Sequence, residues 1–343
     1  MFYIKLVALM KKIFSNHSFS LISSFAFISV FILLPVTSCK HENRKNDIDQ
    51  KTVNENKYKD QKFLMVTIPS DIVATRGRAD YLVTHYWDNF DFADTSYIHL
   101  PDITEVAFVN YIDALPHATK DIAWNSQKAL LAKTKTELTG KMYLYFLSEF
   151  EKYLYDANSP FRNEEYYLPI AEFVIADDGS DEVQKERMKF RRDMMLKNRI
   201  GTIASDIVYT LASGKTDKLS RINSTYTLLM FYNPDCHACE EIIAYLKSSE
   251  VINKAQTKGI LKVFTFYPDK DIQIWKKHLS DIPLSWINGY DNDQIIENKK
   301  VYDLKAIPTL YLLDKEKKVL LKDADIRMIE RYLIEKNLLT LSQ

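Results

Sequence analysis

The 343-residue sequence has few cysteines, only seven glycines and no excess of charge of either sign. Three cysteines are too few for a disulfide framework, so each sulfur needs its own explanation. Cys236 and Cys239 are separated by two residues, and no second close pair of ligands completes a zinc ribbon. The 46 Lys and Arg residues balance the 46 Asp and Glu residues. We therefore expect no metal, no other cofactor and no nucleic-acid partner.

The length exceeds that of one ordinary domain and predicts two folded domains. The apolar share of 46% is that of a packed globule rather than a disordered chain. Shifts in composition divide the sequence into a leader and a polar tether, followed by a helical domain and a C-terminal domain. We place these segments at residues 1–38, 39–62, 63–200 and 201–343.

The N-terminal segment has the order of a secretory signal peptide. Lys5, Lys11 and Lys12 precede an apolar stretch at residues 21–34, and small residues follow just ahead of Cys39. The apolar stretch is shorter than the roughly 20 residues that a membrane-spanning helix needs. The pattern therefore predicts export rather than a membrane span.

Val36-Thr37-Ser38-Cys39 resembles the lipobox of bacterial lipoproteins. The resemblance implies cleavage before Cys39 and diacylation of its sulfur, and two acyl chains anchor a protein stably. An ordinary cleaved signal, or a short anchor with an incidental cysteine, is the alternative. Lys40 follows the cysteine, at the position where Asp marks a lipoprotein for retention in the inner membrane. The absence of Asp there resembles a signal for sorting to the outer membrane. We expect a lipid-anchored envelope protein on the periplasmic side of the outer membrane.

The segment from about residue 75 to 200 has helical periodicity and predicts about six helices with no strand. One helix near residues 103–115 places Val106, Val109 and Ile112 on a single face. No spacing typical of metal ligands or of a catalytic nucleophile occurs there. We therefore expect a docking or positioning role for this domain rather than chemistry.

The C-terminal segment predicts an α/β domain with a mixed sheet flanked by helices. A hairpin opens it, and residues 226–232 form a continuous apolar run that is typical of a strand buried on both faces. Cys236-His237-Ala238-Cys239 lies where this strand passes into an amphipathic helix. A second apolar strand is predicted at residues 261–267, and Pro308 immediately precedes another strand.

This position gives the two cysteines different chemical roles. A helix N-terminus presents unpaired N–H groups and a partial positive charge, which favour a thiolate at Cys236. Cys239 lies one turn further along and would resolve a mixed disulfide by intramolecular attack. A protonated His237 would favour the thiolate further, although a solvent-facing residue of little effect is the alternative reading.

Together the Cys-His-Ala-Cys turn and Ile307-Pro308-Thr309 before a strand resemble the thioredoxin fold over about residues 201–340. The branch it is most similar to is typified by bacterial thiol-disulfide exchange lipoproteins and cytochrome-maturation reductases. The resemblance implies a thiol-disulfide oxidoreductase in which Pro308 is cis and the Ile307 backbone pairs with the substrate chain. It also implies exported proteins carrying disulfides or thiols as partners, with a membrane electron donor.

Three departures limit this resemblance. Met230 stands where cytosolic thioredoxins carry a buried acid, so that proton-transfer route is absent. The pair between the cysteines is His-Ala rather than Gly-Pro. Peroxiredoxins need Thr or Ser three residues before the reactive cysteine, and Asn233 occupies that position.

The helical segment around residues 81–91 resembles an uncharacterised domain found ahead of thioredoxin-like modules in bacterial envelope proteins.

Three functions remain open at this stage. The first is disulfide exchange with exported proteins, most simply as a reductase. The second is a binding or structural lipoprotein whose C-terminal disulfide is static. The third is a chaperone-like factor that serves one client bound by the helical domain.

Overall fold

The computed structural model of the chain describes residues 62–336. The predicted signal peptide, Cys39 and nearly all of the polar tether lie outside these residues. The described residues belong to one compact unit, in which a helical half precedes a half built on a mixed sheet flanked by helices. This arrangement confirms the predicted fold class.

Within residues 62–200 the structure has six α-helices, as the periodicity predicts. They are α1 (Thr75–His85), α2 (Thr104–Ala114), α3 (Lys120–Thr134), α4 (Lys141–Phe150), α5 (Glu164–Ala176) and α6 (Glu182–Met195). A π-helical turn, Glu151–Tyr155, continues α4. The Asn163 side chain accepts a hydrogen bond from the Glu165 N–H and begins α5 in the manner of an N-cap.

The core of the helical half is largely aromatic. Trp87 is buried and lies edge-on to Phe146, with ring centroids 5.1 Å apart. The prediction for the buried face of α2 was right at Ile112, which is buried, but wrong at Val106, which is 45% exposed. The fully buried side chains of this helix include the rings of Phe108 and Tyr111. The larger rings bury more apolar area than valine does, and they set the rotation of the helix.

A seven-stranded sheet forms the second half, with strand order β2-β1-β5-β4-β3-β6-β7. The strands are β1 (Val208–Leu211), β2 (Thr216–Lys218), β3 (Tyr226–Phe231), β4 (Leu261–Tyr267), β5 (Ile287–Tyr290), β6 (Thr309–Leu313) and β7 (Val319–Lys322). The central strand β3 pairs parallel with β4 and antiparallel with β6. Both faces of β3 are buried, which explains its unbroken apolar run.

Five helices accompany the sheet in the part of the chain that the structure describes after residue 200. They are α7 (His237–Ser248), α8 (Glu250–Thr257), α9 (Ile272–Lys277), α10 (Ile295–Lys299) and α11 (Ile326–Glu335). None of the helices between residues 62 and 336 combines the length and the hydropathy needed to cross a bilayer.

The linker between the two halves is hydrogen-bonded to the sheet. Helix α6 ends at Met195, short of the predicted residue 200, and Asn198 adopts a left-handed conformation with φ of 49°. Beyond it, the Gly201 N–H donates to the carbonyl oxygen of Val319 on edge strand β7, at 2.8 Å. The linker therefore follows the sheet edge.

Candidate active site

A tight turn carries the chain from β3 to the first cysteine. The carbonyl oxygen of Asn233 accepts the Cys236 N–H at 3.1 Å, and its side-chain oxygen accepts the Asp235 N–H at 3.0 Å. The Asn233 amide also donates to the Asp269 carboxylate at 2.8 Å. Asn233 therefore fixes the turn on both sides, a role that the sequence suggested only through the turn-forming run Asn-Pro-Asp.

Cys236 is the N-cap residue of α7, as the strand-to-helix pattern predicts. Its carbonyl oxygen accepts the N–H groups of Cys239 at 2.9 Å and Glu240 at 3.1 Å. Its sulfur is half-buried and lies at the amino end of the helix, where the helix dipole favours negative charge. Cys236 is therefore accessible to another molecule at the amino end of the helix.

The loop before β6 reaches the same sulfur. The Cys236 thiol donates to the carbonyl oxygen of Ile307 at 3.5 Å. The Ile307–Pro308 peptide bond is cis, as the resemblance implied. Three of the residues predicted for the site, Cys236, Ile307 and Pro308, are therefore brought together by the fold.

Cys239 is fully buried beneath this surface. Burial raises the pKa of its thiol to about 12, and the hydrogen bond and charge of Cys236 act in the same direction. It packs in an apolar cluster with Met230 and Tyr232. Met230 occupies the position at which cytosolic thioredoxins carry a buried acid. Cys239 is thus a thiol that is shielded from solvent and interacts with Cys236.

His237 faces solvent. Its side chain is 83% exposed, with ring nitrogens 3.6 Å from Glu240 and 3.3 Å from Glu241. These contacts are those of a residue on the surface of the first helical turn. Its proposed influence on the cysteines stays a prediction.

A buried polar cluster next to β3 was not indicated by the sequence. The side-chain oxygen of Asn288 on β5 accepts hydrogen bonds from Tyr232 at 2.9 Å, Trp275 at 3.1 Å and Thr265 at 3.2 Å. Burial raises the pKa of the Tyr232 hydroxyl, which keeps it neutral. The cluster fixes the end of β3 from which the active-site turn departs.

The charged side chains are not arranged as a metal centre in the part of the chain that the structure covers. Between residues 62 and 336, no group of three or more His, Cys, Asp or Glu side chains is placed to hold a metal ion.

The helical half of the chain matches a known protein family. Residues 38–198 match a family described as "Domain of unknown function (DUF5106)". A search of curated proteins finds no match.

Several solved structures similar to the chain come from Bacteroides species. A thioredoxin-like protein from Bacteroides caccae is 46% identical with a TM-score of 0.77, and the alignment covers 80% of this chain and 99% of that one. The C-terminal domain of an uncharacterized protein from Bacteroides fragilis is 52% identical, with a TM-score of 0.40 over 40% of this chain and 98% of that one. The thioredoxin domain of a thiol-disulfide oxidoreductase from Bacteroides vulgatus is 19% identical, with a TM-score of 0.36 over 40% and 97%. Because the identity to the Bacteroides caccae protein extends over nearly its whole length, this chain belongs to the family of thioredoxin-like proteins.

Proposed function

We propose that the chain is a lipid-anchored thiol-disulfide oxidoreductase that reduces disulfides in exported proteins. The observation that carries the proposal is the pairing of a half-buried Cys236 at a helix N-terminus with a fully buried Cys239 one turn later. A nucleophile must be accessible and a resolving thiol must be shielded, and the two cysteines differ in that way.

The first step forms a mixed disulfide. The Cys236 thiolate attacks one sulfur of the substrate disulfide, and the other substrate sulfur leaves as a thiolate and takes up a proton. The cis Ile307–Pro308 loop lies beside the attacking sulfur. An extended substrate segment would pair with the backbone of this loop as an added strand, which would align its disulfide for attack.

The second step releases the substrate. Cys239 loses its proton and attacks the Cys236 sulfur, so the substrate leaves with both sulfurs reduced and the enzyme retains a disulfide. Burial holds the pKa of Cys239 high, and so do the hydrogen bond and charge of Cys236. The two contributions from Cys236 disappear once that sulfur is in the mixed disulfide. The resolving thiol therefore becomes easier to ionise when its attack is needed.

The cycle requires a source of two electrons. A dithiol donor protein in the membrane would reduce the Cys236–Cys239 disulfide and become oxidised to a disulfide itself. Acylation of Cys39 would keep the enzyme at the envelope, close to such a donor and to exported substrates.

Trapping of mixed disulfides tests the proposal. In a Cys239→Ser variant of the full chain, the second step is blocked, so an exported protein with a disulfide should remain covalently attached through Cys236. The matched control, Cys236→Ser, retains one buried thiol and should capture nothing. If the two variants capture the same amount of protein, the proposal is wrong.

A further inference from the structure

The segment that leads to Pro308 is held by the helical half. The Lys305 ammonium contacts the carboxylate of Glu164, the first residue of α5, and lies 3.0 Å from Asp303. The Lys305 side chain is only 11% exposed. Lysine is seldom buried to this degree unless its charge is paired, so this contact joins the two halves at a buried point.

An aromatic ring completes the surroundings of Lys305. Its ammonium lies 4.0 Å from the ring centroid of Tyr155, at the end of the π-helical turn. The Arg191 guanidinium is 4.5 Å from the same centroid and donates to the Tyr167 hydroxyl at 2.9 Å. Tyr155 is therefore fixed by the helical core, and it presents a rigid surface to Lys305.

Two further contacts hold the same segment slightly earlier. The Lys197 ammonium donates to the carbonyl oxygen of Lys300 at 2.5 Å, and the Asn198 side chain donates to that of Val301 at 2.7 Å. With Lys305, three points within six residues are bound from outside the sheet domain. These contacts leave the segment little freedom to move relative to α5 and α6.

The anchored segment runs directly into the redox site. Ile307, whose carbonyl oxygen contacts Cys236, lies two residues after Lys305. Across the cis Ile307–Pro308 bond, the Thr309 hydroxyl donates to the carbonyl oxygen of Ala306 at 2.6 Å. A displacement of Lys305 would therefore reach Ile307 through a short stretch of backbone that is held by its own hydrogen bond.

We propose that Lys305 is a positioning residue, through which Glu164 and Tyr155 of the helical half hold the Ile307–Pro308 backbone in register with Cys236. The inference rests on the proposed function, because it concerns how a protein disulfide is aligned for attack. It gives the helical half a defined part in the reaction. Substrates that dock on the loop backbone depend on this contact, whereas a small disulfide without a peptide backbone does not.

Breaking the pair leaves each of its two members with another partner, although Lys305→Met removes the ammonium that lies 3.0 Å from Asp303. When Lys305 is replaced, Glu164 retains Lys322 at 2.7 Å. When Glu164 is replaced, Lys305 retains Asp303. Lys305→Met keeps most of the side-chain length, and Glu164→Gln keeps the shape of the carboxylate. Both variants should fold, which far-UV circular dichroism and thermal unfolding of each would establish.

The experiment compares two substrates for each full-length variant. One is an extended peptide that contains a disulfide, and the other is 2-hydroxyethyl disulfide. We expect Lys305→Met and Glu164→Gln to lower the rate on the peptide by about three- to tenfold, while the rate on the small disulfide changes by less than about twofold. The double variant should lose no more than the worse single variant, because both changes remove one contact.

Arg162→Met is the matched control. Arg162, just before α5, contacts Asp323, just after β7, at 2.5 Å, with side chains 13% and 9% exposed, so this is a similarly buried pair that joins the two halves away from the Ile307–Pro308 loop. The peptide rate should be close to that of the unmodified protein. Equal losses on both substrates, or no loss on either, would overturn the inference. Failure of the unmodified protein to reduce either disulfide would instead refute the proposed function.

Discussion

The Cys236 thiol lies 3.5 Å from the carbonyl oxygen of Ile307, although 71 residues separate them in the sequence. The contact joins the N-terminus of α7 to the cis Ile307–Pro308 loop, which we propose as the docking edge for an extended substrate chain. An accessible sulfur next to a docking edge is the geometry that disulfide exchange with a protein requires.

The two active-site thiols should differ in their reaction with an alkylating agent. Cys239 is fully buried and burial raises its pKa to about 12, so little thiolate is present at neutral pH. We expect iodoacetamide to modify Cys236 at least about tenfold faster than Cys239 in the reduced, folded protein. Peptide mass spectrometry after short exposures measures both rates. Equal rates would show that Cys239 is not shielded.

Replacing His237 should have little effect on the redox equilibrium. Its side chain is 83% exposed and its neighbours are the exposed carboxylates of Glu240 and Glu241. Exposed charge pairs contribute about 0–1 kcal/mol, and 30 mV corresponds to about 1.4 kcal/mol. We expect His237→Ala to change the reduction potential by less than about 20 mV. A larger change would favour the prediction that a protonated His237 stabilises the thiolate.

Glu149 should make the stability of the protein depend on pH. Its side chain is buried, one carboxylate oxygen lacks a partner, and burial raises its pKa to about 7. In the unfolded chain the pKa is near the ordinary 4.5, so unfolding releases a proton between these two values. The contribution of this group to stability is therefore complete below pH 4.5 and is lost as the pH rises through 7.

Substitution isolates this effect. Glu149→Gln should stabilise the protein by about 1–2 kcal/mol at pH 8, after allowance for partial solvent screening, and by much less at pH 5. Urea unfolding at both pH values measures the difference. Glu172→Gln is the control, because that carboxylate is 39% exposed and pairs with Lys128 at 3.1 Å. An equal gain in the free energy of unfolding at pH 5 and pH 8 would contradict the raised pKa of Glu149.

Gly289 on β5 should not tolerate a larger residue. A Cβ atom there would lie 2.8 Å from Cδ2 and 2.9 Å from Cβ of Tyr209, on the neighbouring strand β1. We expect Gly289→Ala to destabilise the protein by about 1–3 kcal/mol through overpacking. Gly77→Ala, in α1, is the control and should be neutral or slightly stabilising, since alanine favours a helix and the nearest atom is a side-chain methyl of Ile72. Thermal unfolding of both variants checks the contrast.

The elements that the sequence predicted best are those with a strong local pattern. The apolar runs of β3 and β4 and the cysteine turn follow from burial and turn chemistry alone. Strand β5 and helix α10 were missed because they are short, at four and five residues, and carry few apolar side chains. The formation of β5 depends on pairing with β4 and β1, which no local pattern encodes.

The candidate site divides in the same way. Cys236, Cys239 and Pro308 lie in recognisable motifs, whereas the partner of Lys305 is 141 residues away and could not be inferred from spacing. Lys317 is a similar case: it lies in the turn between β6 and β7, yet its buried ammonium donates to the carbonyl oxygen of Ile222 at 2.8 Å. Long-range burial of lysine is decided by tertiary packing, so the link between the two halves emerged only from the structure.

The reduction potential of the Cys236–Cys239 pair tests the central claim most directly. The full-length protein would be equilibrated in a series of reduced and oxidised glutathione mixtures, and its thiols then quenched in acid, alkylated and counted by mass spectrometry. A pair that exchanges disulfides should convert reversibly, with a midpoint between about −120 and −270 mV. A disulfide with a midpoint below about −300 mV would contradict the account, and so would two thiols that form no disulfide in any of the mixtures.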